Sequence, residues 1–411
     1  METTMGVHVA LALILSPVSI AIASEGPVTE SEATRLFLEH SPHALRIPLA
    51  EQSADAGRRE DALLSNPEVG YQTEEAGGVR DEFLTVSQEL PMTGRRGLAS
   101  RSASAAAEAA GLAATSELLA AVSEVRMSFY DVLYRESVSA RLRQGQERVV
   151  RIVKILEQRE REGEGSGYDL LRAQQELSGI ELDVMAAVAG VAVARTRFGA
   201  FFGADGTMET ARLVGEVRVS GSHPDPDEAV ARALAERSDL RALRATVQVL
   251  ELDRRAARKR RFPEPTLTAG WKRTGAVGLD DSGFVAGLRV ALPVFDRGQV
   301  ALARAEADRR HSELEVEILE RKIRADVQAA LVREKAARQA ADRYGDGVER
   351  RAAELRTIAD LAYAEGEAGI LELLDAYRTS LAMELRALAV RFNAKRAEIE
   401  RDRAIGIEVG P

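Results

Sequence analysis

The chain has 411 residues, 45% of them hydrophobic and 29% charged, which is ample for a folded protein and excludes wholesale disorder. It has no cysteine, so a disulfide scaffold, a zinc ribbon and a thiol enzyme are excluded, and only five histidines remain for metal or acid–base work. A formal net charge of −9 gives no general footprint for nucleic acid, while 4% aromatics against abundant Ala, Leu, Arg and Glu favour long helices.

Residues 7–23 are an apolar run broken by Pro17 and closed by Ala21-Ile22-Ala23, the small-x-small form of a signal-peptidase site. The run is shorter than the ~20 apolar residues of a spanning helix and carries His8, Ser16 and Ser19. Residues 1–23 are therefore read as a secretory signal in preference to a membrane anchor, although the first basic residue is Arg35 and a positive n-region is missing. No cysteine follows, so no N-terminal lipid anchor is expected. No later segment approaches ~20 uncharged apolar residues, so no transmembrane helix is expected either.

The remainder repeats itself. Glu162-Gly163-Glu164, four residues, then Asp169-Leu170-Leu171-Arg172-Ala173 returns as Glu365-Gly366-Glu367, four residues, then Glu372-Leu373-Leu374-Asp375-Ala376, at an offset of 203. Leu90-Pro91 returns as Leu292-Pro293 at 202, and Arg58-Arg59 and Pro67-Glu68 return as Arg254-Arg255 and Pro263-Glu264 at 196. Landmarks in one order at nearly one offset predict a duplication, with halves 24–205 and 206–405 and a tail 406–411.

In the first half a helical stretch, 29–64, is interrupted at Ser41-Pro42, because proline disfavours helix in the residue before it. Strands 68–74 and 81–90 follow, separated by Gly77-Gly78. Helix 95–162 would reach on the order of 100 Å at 1.5 Å per residue. A turn of Gly163, Gly165 and Gly167 leads into a return helix, 168–198. The second half repeats this with helix 227–261, strands 266–272 and 283–292, long helix 298–365 and return helix 370–401.

Leu118, Val122, Val125, Phe129 and Val132 step by four and three, as do Leu170, Ala173, Leu177, Ile180, Val184, Ala187, Val191 and Ala194. This is a narrow coiled-coil seam, and its many alanines predict thin, laterally packed helices instead of a fat-cored globule. The strands alternate: Phe284, Ala286, Leu288, Val290 and Leu292 share one apolar face, and Leu267, Ala269 and Trp271 another. About ten residues per strand suits a tilted bilayer crossing, and Tyr71, Phe83, Trp271 and Phe284 are candidate interfacial aromatics. Four strands do not close a membrane barrel, which needs at least ~8, but three chains would supply twelve.

This duplicated order of helix, hairpin, long helix, glycine turn and helix, with a Leu-Leu-x-Ala motif after each turn, resembles the TolC-like outer-membrane factor family over residues 29–401. The resemblance implies a homotrimer with a twelve-stranded barrel in the outer membrane of a Gram-negative bacterium and an α-helical tunnel across the periplasm. It implies an exit duct for a periplasmic adaptor and an inner-membrane pump. The stretch from Ser87-Gln88-Glu89-Leu90-Pro91 to Gly94-Arg95-Arg96-Gly97 resembles the CzcC-like heavy-metal efflux branch, although it also suits drug-efflux relatives.

Three groups of residues carry the functional reading. Glu162, Glu164 and Asp169, with Glu365, Glu367 and Glu372, would form acidic rings at the tunnel mouth that attract cations; otherwise they are solvated acids at helix N-termini. The resemblance places the closed entrance here, with Asp169 and Glu372 as constriction acids and Tyr363 as a gate tyrosine, while Ala368 stands where some relatives carry a gating Arg. Gly163, Gly165, Gly167, Gly366, Gly369 and Tyr363 form the tip that would dock the adaptor. Arg58, Arg59, Arg95, Arg96, Arg254, Arg255, Arg260, Arg261 and Arg297 gather at helix–strand junctions, where cations would meet lipid phosphates; as C-terminal helix cations they also complement the dipole.

His40 and His43 flank a helix break and lack a third ligand, so no metal site is assigned. The glycines of the first turn are not a phosphate loop, since no Gly-Lys-Ser/Thr follows. No nucleophile–base arrangement is present, and no enzyme activity, cofactor or nucleic-acid partner is expected. The expected function is a passive outer-membrane channel. The alternative is a non-channel periplasmic coiled-coil protein such as an adaptor, whose single hairpin the twofold repeat disfavours.

Overall fold

Proline and glycine punctuate the chain. The computed structural model describes residues 26–203, 207–219, 223–344 and 346–407, so the expected signal and the end of the tail lie outside the described residues. Helix α1 (Glu30–His40) starts at Thr29, whose hydroxyl accepts from the Glu32 amide, and stops at Ser41, extended as Pro42 requires. Helix α2 (Pro42–Ala62) leads to strands β1 (Glu68–Ala76) and β2 (Val79–Glu89), joined by Gly77 and Gly78 at φ 61° and 81°. A two-residue turn with both φ positive is the hairpin connection that matches strand twist, and it lets both strands run further than their alternation predicts.

Helix α3 (Arg95–Arg161) is one unbroken rod of 67 residues, about 100 Å long. Helix α4 (Gly167–Gly199) returns along it, and the short α5 (Thr207–Thr210) follows. The second half holds α6 (Pro226–Glu236), α7 (Ser238–Lys259), β3 (Pro265–Ala276), β4 (Leu279–Val290), α8 (Gln299–Tyr344), α9 (Asp346–Ala364) and α10 (Ile370–Ile405).

One expected helix is divided. The stretch 227–261 breaks at Arg237, whose ψ of 122° leaves the helical region, at the same offset of 196 from Ser41 as the other landmarks there. No proline signals this break. Side chains hold it instead: the Arg237 guanidinium pairs with Asp239 at 2.6 Å and donates to the Ala404 carbonyl at 3.1 Å. The stretch 298–365 is helical through its described residues from Gln299 to Ala364, labelled α8 up to Tyr344 and α9 from Asp346. The repeat offset is 202 at the strands and 203 at the tip, so the second long helix holds one more residue than the first. One extra residue rotates a helix face by about 100°.

The strands form one antiparallel sheet in the order β1-β2-β3-β4, and the β2–β3 ladder, from Arg80 opposite Gly275 to Glu89 opposite Thr266, joins the two halves. Next to the sheet, α3 packs between α2 and α7, and α7 against α8; beyond mid-length, α3 packs between α4 and α10, and α10 against α9. Each level is thus a single layer four elements wide. The seam residues expected on α3 and α4 are all buried or half-buried.

Large side chains concentrate at mid-length, where Phe37, Phe129, Phe198, Phe202, Val125 and Leu213 form the thickest core. The second half repeats it in smaller residues: Ala233 for Phe37, Val327 for Val125, Leu331 for Phe129 and Ile405 for Phe202. At two matching positions polarity inverts. Val132 is replaced by Glu334, 0% exposed, and Phe198 by Arg401. Glu334 accepts from Arg401 at 3.4 Å, Arg338 at 3.3 Å and His223 at 2.5 Å. Arg401 also pairs with Asp402, and Asp402 with Arg126, which reaches Glu30 on α1.

Burial acts to raise the Glu30 carboxyl, but hydrogen bonds from Tyr130 and Arg126 outweigh it and hold the group below the ordinary glutamate range. A carboxylate depressed in the folded state stabilises the fold above its unfolded value, and that stability drains away as pH falls through the folded value. Melting temperature should therefore drop on acidification below about pH 4.3, the unperturbed glutamate value, and Glu30→Gln should flatten that part of the profile in a thermal-melt series.

Candidate functional site

At the end far from the sheet, two chain reversals lie side by side. Gly163 has φ 75° and Gly366 φ 76°. In the first, the Glu164 amide donates to the Arg159 carbonyl at 2.9 Å and the Gly163 amide to Glu160 at 3.0 Å; in the second, Glu367 donates to Ala362 at 2.9 Å and Gly366 to Tyr363 at 3.2 Å. Both are Schellman caps with glycine in the left-handed position. Gly165 is required for another reason: a Cβ there would lie 2.6 Å from the Glu160 amide nitrogen. Its counterpart Ala368 carries a Cβ without conflict. Gly167 opens α4, and Gly369 caps α10.

The reversals are clamped together by Val149, Ile152, Val153 and Leu156 of α3, Leu170 of α4, and Ile370, Leu373 and Leu374 of α10. Within the Leu-Leu-x-Ala motifs the first Leu and the Ala are buried in both copies. The second Leu differs: Leu374 is buried against α3, whereas Leu171 is 65% exposed. The reason is position, since α10 lies inside the four-helix layer and α4 at its edge.

The six candidate acids decorate this tip. Asp169 is half-buried in the first turn of α4; Glu162, Glu164, Glu365, Glu367 and Glu372 are exposed. Gln158 donates to Glu162 at 3.0 Å. The Glu372 carboxylate folds back towards Gly369, covering the start of its own helix, as the capping alternative expects. Tyr363 meets Arg159 across the reversals, with the guanidinium 5.7 Å from the ring centroid and 3.5 Å from the hydroxyl. Sequence reading missed Arg159 and the bond from Tyr377 to Asp360 at 2.5 Å, because each pair joins residues on different elements or turns.

The sheet forms the opposite end. Register places Tyr71, Leu84, Trp271 and Phe284 in one row across all four strands, with Val69, Val86, Ala269 and Ala286 next to it, and these side chains share one face. Trp271 is 56% and Phe284 71% exposed. From Phe284 to Val290, the end of β4, the band is about 20 Å along the strand at 3.3 Å per residue. On the hairpin side of the aromatic row, the same face turns polar with Thr73, Glu82, Arg273 and Ser282. Phe83 does not belong to the aromatic row. It stands opposite Gln72 and Lys272 on the other face, because one residue along a strand changes sides; the Lys272 ammonium lies 5.2 Å from its ring. That face is polar, with Lys272 paired to Asp81 at 2.7 Å and Thr274 donating to Asp81 at 2.6 Å.

The junction arginines fall into two sets. Arg95 pairs with Glu264 at 3.2 Å, Arg96 donates to the Leu63 carbonyl at 2.5 Å, and Arg254 and Arg255 both hold Glu251, whose carboxyl they lower to about 2. Arg59, Arg260, Arg261 and Arg297 are exposed at the helix ends next to the sheet and make no ion pair among the described residues. The side chain of Arg58 lies outside the described part.

Both margins of the layer are open. Leu171, Leu182 and Met185 are exposed on α4, and Leu314, Ile318, Ile358 and Leu361 on α8 and α9. Helices α3 and α4 each contain an 18-residue window apolar enough by length and composition to cross a membrane, with mean hydropathy 1.3 and 1.7, but each window includes charged residues, so neither is an uncharged apolar run of ~20 residues. The windows are rich in Ala and Val and contain few charges, and α4 owes its apolar character partly to the exposed margin.

Comparison with known proteins gives one consistent result. The family model described as outer membrane efflux protein matches residues 229–406. The cobalt-zinc-cadmium resistance protein CzcC of Cupriavidus metallidurans is 24% identical over 392 residues, covering 93% of this chain and 90% of that protein. A membrane protein from Pseudomonas aeruginosa shares the fold with a TM-score of 0.76 at 20% identity, over 92% of this chain and 93% of that one. The outer-membrane channel OprN does so with 0.75 at 18%, over 92% and 89%. The resemblance read from the sequence, including its CzcC-like branch, is borne out.

The different demands on Gly165 and Ala368 are open to measurement. Gly165→Val should push the first reversal off Glu160 and loosen it, seen as faster amide exchange over residues 158–168, whereas Ala368→Val should leave the second reversal's exchange within about threefold of the parent.

Proposed function

We propose that this chain is one third of an outer-membrane channel, the exit duct of a tripartite efflux system, and works as a passive conduit and not as an enzyme. The observation that carries this reading is the open margin. At every level the layer begins with a first-half element (β1, α2, α4) and ends with a second-half element (β4, α8, α9), so identical copies can follow one another head to tail and close into a ring. Three copies give twelve strands, enough for a barrel whose apolar face meets lipid and whose polar face lines the lumen. The exposed leucines of α4 would then meet the exposed isoleucines and leucines of α8 and α9 in the next copy.

The rest of the assignment follows from this arrangement. The aromatic row would mark one edge of the hydrocarbon band, and Arg59, Arg260, Arg261 and Arg297 would sit near lipid phosphates at the other. The helical part would cross the periplasm, with the glycine reversals and Tyr363 as the docking tip for an adaptor that brings the inner-membrane pump. Similarity to a cobalt-zinc-cadmium resistance protein favours divalent metal cations as the cargo. Asp169 and Glu372 would ring the mouth with carboxylates and favour cations over anions.

Membrane fractionation and planar-bilayer recording test the reading together. A trimer recovered from outer-membrane fractions that conducts supports it, and a soluble periplasmic monomer would point to the adaptor alternative. Combined Asp169→Asn and Glu372→Gln should lower cation-over-anion permeability; unchanged selectivity removes these two acids from the filter. Leu288→Arg puts a charge on the lipid face at a cost of about 2–4 kcal/mol near the bilayer middle and should reduce the trimer recovered from membranes, whereas the same change at Thr268, on the lumenal face, should be tolerated.

A further inference from the structure

A cavity of about 320 Å³ lies over α3 between α4 and α10, well above the tip reversals. Arg148 of α3 lines it, half-buried, and makes no hydrogen bond or ion pair among the described residues. Its neighbours are already committed: Arg356 to Glu384, the Tyr377 hydroxyl to Asp360, and Arg378 to Asp375. Burial, and then the nearby Arg356 charge, hold the Arg148 guanidinium below the usual arginine range, the direction expected of a cation short of a counter-charge. The lining is mixed, with Val149, Ile180, Leu374 and Leu381 forming an apolar patch and Glu176 and Asp183 on the α4 wall.

Two glycines shape the space. A Cβ at Gly145 would lie 2.9 Å from Ile180 Cδ1 and 3.0 Å from a Leu381 methyl, so those side-chain ends close over α3 there and would have to shift for any larger residue. Gly179 faces open space, with nothing within 4 Å of an added Cβ. At the matching positions the second half has Val348, which is buried, and Ala382. The opening therefore belongs to the first half alone.

We propose that this cavity binds a small amphipathic organic anion, its head on the Arg148 guanidinium and its apolar body against Val149, Ile180, Leu374 and Leu381. A pocket of this size that sets an uncommitted guanidinium beside an apolar patch suits a carboxylate, sulfonate or phosphate on a one- or two-ring body. Glu176 and Asp183 on the α4 wall set the opposing preference, for a cation, and the test must separate the two.

Titration calorimetry of the full protein in lipid nanodiscs with naphthalene-1-sulfonate, against its cationic analogue 1-naphthylmethylammonium, makes that separation. Saturable binding of the sulfonate, one per chain and tighter than the ammonium, is expected. Arg148→Gln should weaken it at least about tenfold, the loss of one charge-assisted hydrogen bond, while Arg148→Lys keeps most of it. Gly179→Phe should fill the cavity and abolish binding, with circular dichroism confirming the helical content. Absence of sulfonate binding to the parent protein at about 1 mM, equal binding by Arg148→Gln, or tighter binding of the ammonium overturns the proposal. The comparison of the two probes on the parent protein decides it even if a variant misfolds.

Discussion

A four-stranded antiparallel sheet leaves the outer backbone groups of β1 and β4 without ladder partners, and inside a bilayer each unpaired donor or acceptor costs several kcal/mol. Closure is the remedy open to β-strands in lipid, and four strands are too few to close on themselves. The remaining architecture is consistent with this constraint. The hairpins come from different halves of the chain and join through β2 and β3, so one margin of the sheet belongs to each half. The helices below keep the same arrangement, which gives a ring of copies one continuous seam from sheet to tip.

Duplication explains why such a wall can be built from one chain, and its departures from symmetry show where the halves have separate tasks. At mid-length the first half packs Phe129, Phe198 and Val132 in an apolar core. The second half buries Glu334 and Arg401 at the places of Val132 and Phe198, ringed by Arg338, His223 and Asp402. Buried charges of this kind add little net stability compared with apolar packing, yet each demands all its partners. They tie together α1, α3, α8, α10 and the link between the halves at one level.

Near the tip the asymmetry is of another kind. The second long helix carries one more residue than the first, and the first keeps glycines at 145 and 179 where the second has a valine and an alanine. Helices α9 and α10 therefore pack with their neighbours differently from α3 and α4, although both pairs end in the same Schellman reversal. Identical local turns sit on unequal supports.

Local rules made much of this legible in advance. Glycine and proline placed the hairpins and reversals, three–four spacing identified the seams, strand alternation identified the apolar face of the sheet, and the offsets exposed the duplication; each depends on neighbours within a few residues or on direct comparison of the two halves. Phe83 was assigned by residue type and not by parity, and register moved it to the polar face. The break at Arg237 was also implicit in the offset of 196, but its cause is a contact with Asp239 and the distant Ala404. What only the tertiary structure decided is which copy of a repeated residue is buried: Leu374 inside the layer and Leu171 at its margin, Glu334 paired with Arg401, Arg148 left without a partner. Periodicity shows that a side chain faces a neighbour. Which neighbour it meets, or whether one is there at all, depends on the lateral order of helices that lie far apart in the chain.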